Sequence, residues 1–172
     1  TGVQVTAVDY DLTNHPDIMH KILMYTDILV DATQRRDPSQ LVVPNEVIGL
    51  MRPHAVLVDL SVDPYDFSIT PPAVKGIEGI PQGNLDQYIF PPDDPVYDNF
   101  PPVVNTTHRR HAISCYSWPG IYPYECMQVY SRQIRAILRT LVETGGPRFI
   151  SMQGTFFHRA IYRALLSAWE GG

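Results

Sequence analysis

Three short, almost uninterrupted apolar runs constrain this chain most: DILVDA at 27–32, AVLVDLS at 55–61 and HAISCYS at 111–117. Each has the length of a strand, and strands without polar alternation are those covered on both faces of a parallel sheet. The segments between them carry helix signals. Asn14 offers an N-cap, Pro16 sits in the first turn, and Asp17 is well placed against the helix dipole; Ile18 with Ile22 and Met19 with Leu23 then recur four residues apart. Pro44 opens a second helical stretch, VPNEVIGLM, which Arg52-Pro53-His54 breaks. With VQVTAV at 3–8 as a first β-branched strand, the alternation predicts an α/β class: a partial, Rossmann-like, doubly wound parallel sheet with helices following it. Right-handed crossovers place the strands' carboxyl ends along one edge, bringing Asp31, Ala32 and Thr33 beside residues 60–63, where ligands of open α/β sheets bind.

Composition narrows the function. At 172 residues the chain can bury a core of its own, and its net charge of -5 with scattered Lys and Arg argues against a phosphate-backbone partner. No apolar run approaches the ~18 residues of a membrane span. Cys115 and Cys126 form neither a CxxC pair nor a metal-ligand set, so they are expected to be buried free thiols of a cytoplasmic protein. Thr1-Gly2 runs straight into strand-like sequence, which suggests part of a longer protein.

Nine of the sixteen prolines fall between Pro64 and Pro102. This stretch is expected to be loop, either functional, packed on something else, or an inconsequential insertion. Beyond it, Met127, Tyr130, Ile134, Ile137, Leu138 and Leu141 keep to one face of a helix over 127–142 that Gly145-Gly146-Pro147 ends. A last helix starts near Thr155, with Phe157, Ile161, Leu165 and Ala160, Ala164, Ala168 as neighbouring stripes. Phe156, Phe157, Ile161, Leu165 and Trp169 are expected to form an apolar patch that docks on a partner surface.

Among residues able to do chemistry, Asp63 at the end of VDLSVD is the leading candidate; the alternative is a carboxylate capping the turn before Pro64. Asp59, inside the apolar run, is expected to anchor a neighbouring backbone amide. His108-Arg109-Arg110-His111 lacks acidic or Cys partners at metal spacing and reads as a solvated basic turn, with contact to an anion or to an acidic loop such as Asp93-Asp94 as the alternative. Ser117 and Cys126 show no His–acid arrangement for nucleophilic catalysis. The Gly-rich turn that lets backbone amides approach a pyrophosphate is absent from the sequence.

The run TDILVDATQRRDPSQLVVPNEVIGLMRPHAVLVDLSVD resembles the C-terminal, nucleotide-binding half of the alanine dehydrogenase and pyridine nucleotide transhydrogenase family, where an "adlvigavl" strand is followed by a helix ending "mkpgsvivdvaid". SWPGIYPYECMQVYSRQIRAILRTLVETGG is similar to the "nmpgavprtst" turn and the long helix after it. The likeness covers roughly 3–146 without the Pro-rich stretch, and VDLSVD also resembles the related saccharopine dehydrogenases. The resemblance implies an NAD- or NADP-binding domain over 1–118 and a helical segment over 119–172 that packs on a substrate domain or partner chain. It further implies hydride transfer between the nicotinamide and a small amino, imino or keto acid, in a homo-oligomer. By position it makes Asp63 catalytic and puts Ala32, Thr33, Leu60, Ser61, Val62, Ser117 and Trp118 along the dinucleotide. The family's Gly-rich loop and its substrate-binding Lys, Arg and His would lie upstream, so the chain alone is expected to be inactive and to bind NAD(H) weakly or not at all. Departures stand at Gln34-Arg35-Arg36, at Pro64-Tyr65 where the family has Gly-Gly, at Trp118, and at Tyr124 where it has Arg. They leave open an alternative function, a catalytically inactive Rossmann-like interaction module or subunit.

Overall fold

The computed structural model describes residues 2–61 and 63–165. The chain divides into two compact units, 1–117 and 118–172, so that Trp118 belongs to the second.

In the first unit, α1 (Tyr10–Thr13) and α2 (Pro16–Leu23) precede β1 (Ile28–Asp31); α3 (Asn45–Ile48) leads to β2 (Val56–Asp59); β3 (Ile89–Phe90) and β4 (His111–Ser114) follow. The sheet order is β1-β2-β4-β3, with β1, β2 and β4 parallel and β3 antiparallel to β4. The fold is thus mixed α/β on a four-stranded, mostly parallel sheet. Register pairs Leu29 with Leu57 and Leu57 with Ala112, and their side chains share one face of the pleat. That face carries the core: Leu57, Phe90 and Ala112 pack with Met19 and Leu23 of α2, Ile48 of α3, and Ile77 and Ile80.

Three expectations are corrected. Residues 3–8 form no strand: Val5 is 84% exposed, and β-branched residues select extended backbone without supplying the ladder partner a strand requires. Asn14 is the C-cap of α1, while His15 takes the N-cap position of α2 ahead of Pro16 at the helix start. The described residues of the first unit pack one face of the sheet into its core, to which α2 and α3 both contribute around Leu57, while on the other face Ile28, Val30 and Ile89 are exposed and Val56, Val58 and Ile113 half-buried.

The Pro-rich stretch is ordered rather than featureless. It holds β3, a 3-10 turn over Pro95–Asn99, the bridges Val43–Ile77 and Asp66–Ala73, and fully buried Lys75, Ile77, Ile80 and Phe90. It packs on its own unit. Arg110, expected in a solvated turn, donates to the carbonyls of Met51 at 2.7 Å, Arg52 at 2.9 Å and Ile48 at 3.2 Å, closing the chain after α3. Arg109 lies 4.6 Å from the Tyr97 ring centre and 3.9 Å from Asp98, so the acidic group it meets is Asp98 rather than Asp93 or Asp94. Burial pushes the Tyr97 phenol up to about 12 although Arg109 pulls the other way.

The second unit comprises α4 (Trp118–Ile121), α5 (Pro123–Glu143), a 3-10 turn over Pro147–Phe149 and α6 (Phe156–Ala164). Pro123 starts α5 where its missing N–H costs nothing, and Gly145 and Gly146 end it at φ of 78° and 114°, which L side chains avoid. Ile161 of α6 is buried and Phe156 and Phe157 are exposed; Ala168 and Trp169 lie outside the described residues. Among the described residues no helix is long and apolar enough to cross a membrane.

Candidate functional site at the carboxyl edge of the sheet

The register aligns the last residues of the three parallel strands, Asp31 with Asp59 and Asp59 with Ser114, so two carboxylates and a hydroxyl stand side by side on the core face. Asp59 is buried and saturated. Lys75 Nζ donates to its Oδ2 at 2.5 Å, Ser114 Oγ to the same oxygen at 2.9 Å, and Ser61 Oγ and N–H to Oδ1 at 2.9 and 3.1 Å. Burial works against the charge, yet the Lys75 ammonium, with the Ser61 and Ser114 hydroxyls, holds the Asp59 carboxyl below its ordinary range. Asp59 does anchor a neighbouring amide, that of Ser61, but its principal partner is Lys75.

Lys75 sits between Asp59 and the Tyr65 ring, whose centre is 6.0 Å from Nζ. Tyr65 in turn donates to the Ile80 carbonyl at 3.1 Å, stacks on Phe67 at 5.9 Å and meets Phe100 edge-on at 5.6 Å. Burial raises its phenol well above the ordinary value, keeping it a neutral donor. The departure at Pro64-Tyr65 therefore has a structural reason: the ring walls in a buried cation.

Four residues beyond each of two strand ends, the second layer of the edge is built. Arg35, following β1, donates to Asp63 Oδ2, following β2, from Nη2 at 2.8 Å and from Nε at 3.3 Å. Its remaining donors go to the carbonyls of Val74, Gln40 and Pro38. The Arg35 side chain is 8% exposed and Asp63 35%. Asp63 is thus an open carboxylate on a buried arginine, and its Oδ1 receives no hydrogen bond from a described residue. Burying a guanidinium with its fork engaged fixes the carboxylate's direction.

The other candidates take these places. Thr33 turns inward, donating to Asp31 Oδ1 from its N–H at 2.9 Å and its hydroxyl at 2.7 Å. Ser61 Oγ also lies 3.5 Å from Asp31 Oδ2. Leu60 donates its N–H to the Asp31 carbonyl at 2.8 Å, and Ala32 is exposed beside it. Thr33, Ser61, Asp63, Leu60 and Ala32 therefore share one edge. Val62 lies outside the described residues. Ser117 closes the first unit with its N–H directed at Cys115 Sγ, 3.3 Å away, and Trp118 opens the second unit.

Sequence reasoning missed Lys75, Arg35 and Ser114. A lone lysine in AVKGIEGI and the shared ending of ILVD, VLVD and HAIS, a polar residue after three mostly apolar ones, were the available signals.

Of the groups a nicotinamide dinucleotide would need, the described residues of this edge offer one, the partly exposed carboxylate of Asp63, able to accept a hydrogen bond from a carboxamide. The pyrophosphate end does not fit: the link from β1 to α3 contains no glycine, and the Asn45 N–H at the start of α3 is taken by Glu78 Oε2 at 2.8 Å. The described residues contain no group of His, Cys, Asp and Glu able to hold a metal ion. Comparison with known proteins finds no matching family model, no similar curated protein and no similar solved structure.

Proposed function

We propose that the first unit is the nicotinamide-facing part of a cytoplasmic NAD(P)-dependent oxidoreductase of the alanine dehydrogenase type, acting on a small amino or imino acid. The observation carrying this reading is Asp63 itself, an open carboxylate held by buried Arg35 at the carboxyl edge of parallel strands, where such sheets take their ligands. The cofactor, when bound, supplies the hydride chemistry. Asp63 holds or accepts a proton at Oδ1, the oxygen to which no described residue donates, Arg35 fixes its direction, and Thr33 and Ser61 keep Asp31 and Asp59 turned inward.

The test uses nicotinamide mononucleotide, which needs no pyrophosphate cradle, titrated into the chain while backbone amide resonances are followed. Binding with a Kd on the order of millimolar, centred on residues 60–63 and 33–35, is expected, and Asp63→Asn should weaken it roughly tenfold, the equivalent of a charge-assisted bond. Unchanged resonances along that edge at tens of millimolar would overturn the proposal.

A second reading, a catalytically inactive interaction module, is favoured by one observation: the link from β1 to α3 has no glycine with which backbone amides could approach a pyrophosphate. The two readings separate on the same titration.

A further inference from the structure

Residues of the link from β1 to α3, of the Pro-rich stretch and of the turn after it enclose a small cavity in the first unit. Tyr65 and Phe67 wall it, their rings 5.9 Å apart and within 10° of parallel, and Leu41, Val74 and Val104 add aliphatic surface. Glu78 lines it too. The cavity measures about 120 Å³, roughly four times the ~30 Å³ share of one liquid water and well short of the ~300 Å³ at which sites for drug-sized ligands begin, so it admits a head group rather than a whole cofactor. The uncompensated charge at its wall is negative. Glu78 accepts the Asn45 N–H on Oε2 at 2.8 Å and the Asn105 N–H on Oε1 at 3.1 Å, and among the described residues no Lys, Arg or His makes an ion pair with it. Arg35, which donates to the Val74 carbonyl, and Lys75, which faces the Tyr65 ring, adjoin the walls but are committed to Asp63 and Asp59.

We propose that this cavity binds the methylated ammonium head of a small cation. Three features select that chemistry. A carboxylate balanced only by amide dipoles repels an anion and attracts a cation. A primary ammonium or a guanidinium would bring three or five N–H donors into a cavity whose carboxylate oxygens each already accept an amide and whose other walls are largely apolar. A quaternary head brings no donor, spreads its charge over its methyl groups, and is drawn to aromatic rings such as Tyr65 and Phe67. The inference goes beyond the cofactor reading and stands apart from it, since Asp63, Ser61 and Thr33 take no part.

Titration of the full chain with choline, followed through its backbone amide resonances, tests it. A Kd on the order of millimolar is expected, with the shifts centred on Phe67, Val74 and Val104. The neutral carbon isostere of choline, 3,3-dimethylbutan-1-ol, should bind roughly tenfold more weakly, and Glu78→Gln should bring choline down to the level of the alcohol. Should Glu78→Gln lose the native amide spectrum, Phe67→Leu gives the answer: that ring is 39% exposed, and its loss should weaken choline while leaving the alcohol unchanged. An ε-trimethyllysine amide titrated in parallel separates a modified protein side chain from a free small molecule as the source of the head group, and the tighter binder identifies it. Equal binding of choline and the alcohol, choline shifts centred elsewhere, or unchanged resonances at tens of millimolar choline and trimethyllysine amide would overturn the proposal.

Discussion

Lys75→Met should destabilise the first unit by about 3–5 kcal/mol in urea unfolding, the cost of leaving a buried carboxylate without its counter-ion. Lys75 is fully buried, and Asp59 has no route to water through which to recover the loss. The sign of the pH dependence follows from the same pair. The Asp59 carboxyl is held below its ordinary range in the folded protein, so its contribution is whole above about pH 4 and is lost as pH falls through the folded value. In Lys75→Met, burial is opposed only by the hydrogen bonds from Ser61 and Ser114, so the carboxyl lies higher than in the wild type and protonation relieves the variant. The gap between the two proteins should therefore narrow as the solution is acidified. Replacing both partners, Lys75→Met with Asp59→Leu, should recover most of the loss, since an apolar pair of similar volume leaves no charge behind. A single-variant loss below about 1 kcal/mol would contradict a buried ion pair at this edge.

Gly83→Ala should be comparably damaging for a steric reason. A Cβ at position 83 would lie 1.6 Å from the Ser114 carbonyl oxygen and 2.7 Å from its carbon, both backbone atoms of β4. No rotamer change relieves such a contact, so either β4 or the segment carrying Gly83 must move. The cost is expected at or above the upper end of the ~1–3 kcal/mol of ordinary overpacking. Because Ser114 also donates to Asp59, moving β4 disturbs the same network that Lys75→Met breaks. The double variant should then lose less than the sum of its parts, and unfolding measurements on the two single variants and the pair read this directly. Full additivity would separate Gly83 from the Asp59 cluster.

What the sequence disclosed and what it hid divide along physical lines. The strands at 28–31, 56–59 and 111–114 were legible because a buried strand leaves an apolar run, and α5 because a one-faced helix writes its period into the chain. The carboxyl edge followed from parallel alternation, and with it Asp63, Ser61 and Thr33. Residues 3–8 misled because extended-chain propensity is local while strand pairing is not. Lys75 and Arg35 stayed hidden for another reason. Their roles arise from contacts 16 and 28 residues away in sequence, and Lys75 stands in a stretch whose prolines erase any periodicity. In the same way Tyr65, a departure from the resembled pattern, becomes intelligible only beside Lys75.

The placement of a nicotinamide at Asp63 is tested most directly by saturation-transfer NMR with NADH on the wild-type chain and on Asp63→Asn. Since the chain carries no Gly-rich turn to cradle a pyrophosphate, the dinucleotide should be held by its nicotinamide end alone. Saturation is therefore expected on the nicotinamide ring protons, weak or absent on the adenine protons, and reduced in the variant. Saturation centred on adenine, or equal in wild type and variant, would contradict the account.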